Sequence, residues 1–284
     1  MTINAEDKNA SSIDEPALAV LHLVRKGNPS QLLKRFIKSY QNHPTEMNHR
    51  LIFILKGFSG VEAEDQKRRI VKKLRHAEFV EVSDDGFDIN AYRDAAQQID
   101  CEYLLFLNSY SSIEADQWLE KFTAVFQKHP TAGLVGATGN WEITNDETPF
   151  PNVHIRSNGF MIRRDIFLNL TFGALDTKKA CSQFEAGKNS MTRQILALNL
   201  ELYIVGRNGH VYPPQNWPES GIFRSGEQEN LLIADNRTRE HTTESPRHRL
   251  KMARLSWGDQ TKVPPPSFLR SVVILFRRLI RLRF

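Results

Sequence analysis

The sequence predicts an α/β fold in which a mostly parallel, twisted sheet is flanked by helices. Over residues 18–135, short apolar runs typical of buried strands alternate with stretches whose apolar residues recur at helical spacing. Elements that alternate in this way are joined by right-handed crossovers, which bring the strands together in parallel. The chain has 284 residues, 40% of them hydrophobic and 25% charged, so it is long and apolar enough to bury a core.

The elements follow a regular order in the first half of the chain. Strands are predicted at 18–24, 51–55, 79–82 and 103–107, and a further strand begins at residue 134. The helices between them are predicted around residues 32–40, 70–74, 89–99 and 118–126. After residue 140 the alternation weakens, and only a helix near 191–198 and a strand at 202–205 are predicted. Residues 17–260 are therefore predicted to form the folded domain.

The carboxyl ends of the predicted strands indicate where a ligand binds, because ligands of open α/β sheets lie outside these ends. These ends are Arg25-Lys26, Lys56-Gly57, Ser83-Asp84-Asp85 and Asn108-Ser109-Tyr110. Asp88 follows the third of them and forms an acidic cluster with Asp84 and Asp85. The three aspartates can accept hydrogen bonds from a ribose or from a base amide. A solvated turn is the alternative interpretation of this acidic cluster, since Asp is common in turns.

The motifs of several other enzyme classes are missing from the sequence. No G-x-G-x-x-G follows a strand and no phosphate loop ends in Gly-Lys-Ser or Gly-Lys-Thr, which argues against Rossmann oxidoreductases and nucleotide triphosphatases. The run GFSG at 57–60 resembles a nucleophile elbow, but its second glycine comes one position too early for a serine hydrolase. The nine histidines show no zinc-binding spacing. The two cysteines, Cys101 and Cys181, are predicted to be small apolar residues of the core.

The net charge of +5 arises at the C-terminus. The last 17 residues contain five arginines and no acidic residue, and the rest of the chain carries 33 basic and 33 acidic residues. Since the body of the chain is neutral, we expect no nucleic-acid partner.

Both ends of the chain are predicted to lie outside the folded domain. Residues 1–16 are polar and lack the apolar stretch of a signal peptide, which predicts a disordered leader on a cytoplasmic chain. Residues 261–284 begin with a Pro-rich hinge and continue as a basic amphipathic helix. We expect this tail to lie on an anionic membrane at its inner face, as a peripheral contact, because its arginines are too frequent for a membrane span. Docking on the protein's own body is the alternative.

A series of segments with a recognisable order runs from residue 100 to residue 185. The strand at 103–107 ends in Asn-Ser-Tyr, a helix opens at Trp118, and the next strand reads GLVGA at 133–137. SNGFMIRRD follows at 157–165, and Phe184 and Glu185 precede a further helix. In order and spacing these segments resemble the centre of family 2-type GT-A glycosyltransferases, and the resemblance extends over residues 18–212.

The resemblance implies a GT-A-like fold and a hexosyltransferase-type enzyme. Such an enzyme moves a sugar from a nucleotide-diphosphate donor to a glycan or lipid-linked acceptor, as in surface polysaccharide biosynthesis. Glu185 then stands at the place of the general base on the acceptor side, where a carboxylate needs only to accept a hydroxyl proton. Contacts with the donor are implied for Arg25, Lys26, Asp84, Asp85, Asp88, Arg93, Asn108, Ser109 and Tyr110.

Contacts with the acceptor are implied for Asn158 and Gly159. Trp217 is a further candidate, because an aromatic ring can stack on the apolar face of a sugar. The alternative for Trp217, which lies between prolines, is that it anchors a loop to the body of the protein.

The sequence departs from the family at the metal motif, where Asn108 stands in a run without a carboxylate. The family commonly has at least one Asp there, for the Mg²⁺ or Mn²⁺ that bridges the donor diphosphate, and an amide oxygen is a poor ligand for such a hard cation. Three alternatives stay open. The diphosphate itself holds the metal; cationic side chains such as Arg93, Arg163 or Arg193 replace it; or the chain is a non-catalytic binding or scaffold protein at the membrane surface.

Overall fold

The computed structural model describes residues 17–144 and 148–261. The predicted leader (1–16) and the predicted amphipathic helix of the tail lie outside the described residues. Within the described part of the chain, no helix is long and apolar enough to cross a membrane.

The described residues form twelve strands and nine α-helices. The strands are β1 (Leu18–Arg25), β2 (Arg50–Lys56), β3 (Ala77–Val82), β4 (Tyr103–Leu107), β5 (Ser112–Ile113), β6 (Ala132–Gly136), β7 (Gly139–Asn140), β8 (His154–Ile155), β9 (Gly159–Arg163), β10 (Glu201–Val205), β11 (Val211–Tyr212) and β12 (Ile233–Ala234). The helices are α1 (Ser30–Asn42), α2 (Gly60–Val71), α3 (Asp88–Gln98), α4 (Trp118–Lys128), α5 (Arg164–Leu168), α6 (Lys178–Ala186), α7 (Met191–Ala197), α8 (Asn236–Thr243) and α9 (Pro246–Trp257). Short 3₁₀ helices lie at Pro214–Glu219 and Gly258–Gln260.

Eight of the strands form one sheet in the order β11-β10-β6-β9-β4-β1-β2-β3. β3, β2, β1 and β4 are parallel neighbours, and β6 and β10 form another parallel pair. β9 runs antiparallel between β4 and β6, and β11 is antiparallel to β10. The pairs β5–β12 and β7–β8 are short and separate. The predicted α/β class with a mostly parallel sheet is thus confirmed.

Helices cover both faces of the sheet. The side chains of β1 alternate between two cores, with the odd-numbered residues from Ala19 to Leu23 in one and even-numbered apolar residues such as Val20 and Val24 in the other. The first core includes apolar side chains of α3, α5, α6 and α7, and the second includes those of α1, α2 and α4. The helical spacing seen in the sequence is therefore the spacing of side chains buried against the sheet.

Several elements differ from the sequence prediction, which did not include α5, α6, α8, α9 or the short strands β5, β7, β8, β11 and β12. β9 was not predicted either, because its apolar run, 160–162, is only three residues long. The second helix, α2, begins at Gly60 and ends at Val71, so Leu74 of the predicted helical pattern lies beyond its end.

His22 is a fully buried histidine in the middle of β1. Its ring stacks on Phe36 of α1, with 3.7 Å between the ring centroids, and meets the edge of Phe53 of β2. Neither ring nitrogen has a hydrogen-bond partner within the described residues. Burial therefore disfavours the charged imidazolium and lowers the pKa of His22 to about 3.

We predict that His22 makes the fold acid-sensitive. Its pKa in the folded state lies below the unfolded value of 6.5, so its contribution to stability is complete above 6.5 and is lost as the pH falls towards 3. Between about pH 7 and about pH 5, the wild type should lose about 2 kcal/mol more free energy of unfolding than His22→Leu. Urea unfolding at the two pH values measures this. His76→Leu, at an exposed site, is the matched control, and parallel pH profiles for wild type and His22→Leu would contradict the prediction.

Candidate active site

A cleft of about 460 Å³ opens at the carboxyl edge of the sheet. It lies at the point where the chain, having added β2 and β3 on one side of β1, returns to place β4 on the other side. Leu23 and Arg25 from β1 and Asn108 and Ser109 after β4 line it. The Ser109 hydroxyl donates a hydrogen bond of 2.9 Å to the Leu23 carbonyl oxygen and so joins the two strand ends.

Lys56, the last residue of β2, fixes the loop that enters the cleft after β3. Only 1% of this lysine is exposed. Its ammonium donates to the carbonyl oxygens of Ser83 (3.2 Å) and Asp85 (2.9 Å), and it lies 3.2 Å from Oδ1 of Asp84. A buried ammonium needs such partners, because an unpaired charge is costly inside a protein. The loop is therefore held in one conformation, and Asp88 follows it at the start of α3.

Asp84 links this lysine to Arg25. Nε of Arg25 lies 3.0 Å from Oδ1 of Asp84. The hydrogen bond from Arg25 has the largest effect on the pKa of Asp84; together with the hydrogen bond from Lys56 it lowers that pKa below its usual value, although burial raises it. Asp84 thus stays ionised and pairs with both Arg25 and Lys56. These two basic side chains line the cleft.

Two carboxyl groups, those of Asp88 and Glu185, share one serine in the cleft. The Ser157 backbone N–H donates to Oε2 of Glu185 at 3.1 Å, and its hydroxyl donates to the same oxygen. Ser157 also lies against the Asp88 carboxyl, which accepts a hydrogen bond of 3.1 Å from the Ile89 N–H. Burial and then the charge of Glu185 raise the pKa of Asp88 to about 6. The cleft therefore pairs Glu185 with an Asp88 carboxyl whose charge changes near pH 6.

Two further helices begin at the cleft and bring basic side chains to it. Lys178 is the first residue of α6, and Asn236 and Arg237 open α8. The start of α8 is fixed by Asp235, which is fully buried and accepts a hydrogen bond of 2.8 Å from the Thr238 N–H. Arg156 pairs with the other oxygen of Asp235 at 2.7 Å. The backbone that carries Arg237 is thus set by a buried ion pair and a helix cap.

Asn108 is tied into its own turn. Its Oδ1, the side-chain oxygen that could bind a metal, accepts hydrogen bonds from the Tyr110 N–H (2.9 Å) and the Ser111 hydroxyl (3.1 Å). Residues 17–144 and 148–261 contain no group of three His, Cys, Asp or Glu side chains arranged to hold a metal ion. The donor set around Asn108 therefore does not fit a divalent cation bound by the protein.

The structure brings together most of the predicted donor residues. Those that line the cleft are Arg25, Asp88, Asn108, Ser109 and Tyr110, and Glu185 joins them. Asp84 touches the cleft through Arg25 and Lys56, as described above. Lys26 instead pairs with Glu62, Asp85 is an exposed loop residue, and Arg93 pairs with Asp94.

The candidate acceptor residues are placed differently. Trp217 is fully buried, donates a hydrogen bond of 2.9 Å to the Tyr212 carbonyl oxygen and covers Gly139 so closely that a Cβ there would lie 2.4 Å from its ring. Its ring offers no face to a sugar here, and it anchors its loop, as the alternative interpretation had it. Asn158 and Gly159 are buried at the start of β9, where the Asn158 carbonyl oxygen accepts from the Asn108 N–H.

Lys56 was predicted at the ligand edge of the sheet but without a role, and Ser157 and Lys178 were not predicted as residues of this cleft. Lys56 carried a signal, since it directly follows the apolar strand 51–55 at the ligand edge of the sheet. Ser157 lay inside the segment that resembles the GT-A family, but without a role. Lys178 carried no signal, because nothing in its local sequence shows that α6 begins at the cleft.

Comparison with known proteins gives matches at the level of structure alone. No protein-family model matches the chain, and no curated protein matches it. GalNAc-T7, solved with UDP, GalNAc and Mn²⁺, matches with a TM-score of 0.48 and 15% identity, over 72% of this chain and 45% of that chain. S. aureus TarS 1–349 in complex with UDP-GlcNAc matches with 0.38 and 15% identity, over 52% and 46%, and another TarS structure with 0.40 and 13% identity, over 56% and 32%.

This chain thus covers less than half of each matched chain. The matched proteins are GT-A glycosyltransferases, in agreement with the resemblance of the sequence.

We predict that Asp88 lowers stability at neutral pH. Its pKa of about 6 lies above the unfolded value of 3.8, so its favourable contribution is complete below 3.8 and is lost as the pH rises through 6. Asp88→Asn stays neutral and keeps that contribution, so from about pH 4 to about pH 8 it should gain up to about 3 kcal/mol relative to the wild type. Chemical unfolding at both pH values measures the gain. The exposed Asp85→Asn is the control, and an equal effect of Asp88→Asn at both pH values would contradict the prediction.

Proposed function

We propose that this chain is a glycosyltransferase that binds a nucleotide-diphosphate sugar in the cleft between β1 and β4 and transfers the sugar to an acceptor hydroxyl. One observation carries the proposal. A single cleft at the switch point of the sheet combines several basic side chains with a serine-bridged carboxylate pair. This combination suits a reaction in which an anionic group leaves while a hydroxyl gives up a proton.

The donor side of the proposed reaction is formed by the ends of β1 and β4 and the starts of α6 and α8. Arg25, Lys178 and Arg237 bring positive charge to this part of the cleft. A nucleoside diphosphate that leaves the sugar gains negative charge, and fixed positive charge lowers the free energy of that transition state. The switch point of an open α/β sheet is also where nucleotides bind in other proteins of this class.

The acceptor side is formed by Glu185. As the acceptor oxygen attacks the anomeric carbon, its proton passes to the Glu185 carboxylate, the new glycosidic bond forms, and the bond from the sugar to the diphosphate breaks. Ser157 holds Oε2 of Glu185 through its backbone N–H, and Oε1 is left to meet the acceptor. Asp88 lies close enough for the charge of Glu185 to raise its pKa, so the two carboxyl groups of the cleft are electrostatically linked.

The finer identity of the substrates rests on the sequence resemblance. It supports a hexosyl donor and a glycan or lipid-linked acceptor of surface polysaccharide biosynthesis. The basic tail supports an acceptor at the inner face of a membrane, because a polybasic amphipathic helix binds anionic lipid.

A non-catalytic binding protein on the same fold is the second candidate function. It is favoured by the metal motif, where Asn108 replaces the carboxylate and its oxygen is engaged within its own turn. This candidate predicts that a nucleotide sugar binds and is never turned over. Incubation of the full chain with a panel of UDP-, GDP-, CDP- and TDP-sugars and oligosaccharide acceptors, followed by detection of released nucleoside diphosphate, separates the two. Release supports the enzyme, and binding without release supports the binding protein.

We predict that Glu185→Gln abolishes transfer and leaves donor binding intact. The amide keeps the shape of the side chain but cannot accept the acceptor proton, so the rate should fall by about a hundredfold or more. Product release measures the rate, and calorimetry with the donor measures the affinity. Glu219→Gln, on a 3₁₀ helix outside the cleft, is the control. A variant with full activity would remove Glu185 from the mechanism.

We predict that the tail carries membrane affinity. Deletion of residues 262–284 should abolish flotation with vesicles that contain phosphatidylglycerol, and replacement of its arginines by glutamine should weaken it, because each basic residue near an anionic surface contributes about 1 kcal/mol. Vesicles of phosphatidylcholine alone are the control. Equal flotation of the full and the shortened chain would contradict the membrane proposal and leave the proposed enzyme untouched.

A further inference from the structure

We propose that Lys178 and Arg237, together with Arg25, bind the diphosphate of the donor directly, and that this binding requires no divalent cation. The inference rests on the proposed function, since it concerns how the same cleft holds its donor. It assigns the diphosphate to Lys178 and Arg237, for which the sequence resemblance implied no role, beside Arg25, for which it implied a contact with the donor.

The side chain at the metal-motif position is already engaged in hydrogen bonds. Asn108 stands at the metal-motif position, and its Oδ1 already accepts two hydrogen bonds from its own turn. Among the residues that line the cleft, two carry a carboxyl group, Asp88 and Glu185, and Ser157 already engages Oε2 of Glu185. A hard cation takes several anionic oxygens as ligands, and this donor set is too small to hold one by itself.

Two basic side chains of the cleft are available to bind an anion. Lys178 is exposed and makes no ion pair within residues 17–144 and 148–261. Arg237 pairs only along its own helix, with Glu240 at 3.2 Å, and 56% of its side chain stays exposed. Surface pairs of this kind contribute little, so an entering phosphate can replace Glu240 at small cost. Both side chains are therefore free to form charge-assisted hydrogen bonds with phosphate oxygens.

The helices that carry these two side chains have their N-termini at the cleft. Lys178 is the first residue of α6, Arg237 is the second residue of α8, and α3 also starts at the cleft with Asp88. The N-terminus of a helix carries partial positive charge and favours an anion close to it. The start of α8 is fixed in position, because the buried Asp235 pairs with Arg156 and accepts a hydrogen bond from the Thr238 N–H.

The cations suggested from the sequence as replacements for the metal, Arg93, Arg163 and Arg193, do not line the cleft. Arg163 pairs with Asp165 on the surface and Arg93 with Asp94. Basic side chains replace the metal in this proposal too, but they are Lys178, Arg237 and Arg25.

Calorimetry on the full chain tests the inference, with inorganic pyrophosphate and a panel of UDP, GDP, CDP and TDP as probes. Each titration is run with excess EDTA and again with Mn²⁺. We expect pyrophosphate and at least one nucleotide to bind in EDTA with an affinity that Mn²⁺ changes by less than about tenfold. Lys178→Gln with Arg237→Gln should weaken both probes by about tenfold or more, as expected for the loss of two charge-assisted hydrogen bonds. Arg163→Gln, which removes an exposed ion-paired arginine elsewhere, should bind as the wild type does.

The outcomes separate this inference from the proposed function. Nucleotide binding that requires Mn²⁺ would overturn the inference and leave the glycosyltransferase standing; if Asp88→Asn then abolished this Mn²⁺-dependent binding, the carboxylate pair would be the metal site. Unchanged affinity in the double variant would overturn the assignment of Lys178 and Arg237. Binding of pyrophosphate without any nucleotide would support the anion site and remove the proposed function. A chain that binds no probe, with or without Mn²⁺, would overturn both.

Discussion

The cleft depends on one buried ammonium group, that of Lys56. It ends β2 inside the protein and gathers the carbonyl oxygens of Ser83 and Asp85 and the carboxylate of Asp84 around itself. Gly57, at φ +76°, lets the chain turn directly after it; a Cβ there would lie 2.9 Å from the Asp84 side chain. The loop packed on this lysine leads into α3 and so places Asp88 beside Ser157 and Glu185. A substitution of Lys56 would therefore alter the position of Asp88, and so the Asp88–Glu185 pair, without changing either carboxyl group.

Charge is arranged in the cleft at a cost to stability. Asp88 would be more stable in water than beside Glu185, and its raised pKa expresses that cost. Unfavourable electrostatics of this kind are common at functional sites, where a group must be ready to gain or lose a proton. Basic side chains at the starts of α6 and α8 give the same cleft an affinity for anions. Together they form a site that can hold a leaving diphosphate and accept a proton, and the proposed glycosyl transfer needs both.

Much of the fold and part of the site could be predicted from the sequence. β1 to β4 were predictable because each alternates with an amphipathic helix, and their ends located Arg25 and Asn108 at the ligand edge. β9 was not, because its apolar run, 160–162, is only three residues long. The burial of Lys56 and of Trp217 could not be predicted for a different reason. A lysine after a strand is usually solvated and an aromatic residue in a polar loop is often exposed, and contacts distant in sequence bury both of them here. Asn108, which stands where the family has a carboxylate, raised the question of whether the cleft binds a metal. The answer depends on the side chains that three different helices bring to the cleft, and the sequence does not show these.

Hydrogen exchange of the full chain, with and without the nucleoside diphosphate that binds most tightly, tests the central claim most directly. If the cleft between β1 and β4 is the donor site, exchange should slow at residues 84–90, 108–111, 178–185 and 236–240, because a bound ligand suppresses local opening. The groove at the amino edge of the sheet, lined by residues 47–51 and 73–78, is the internal control and should exchange at an unchanged rate. Protection confined to that groove, or none at the cleft at saturating nucleotide, would contradict the account.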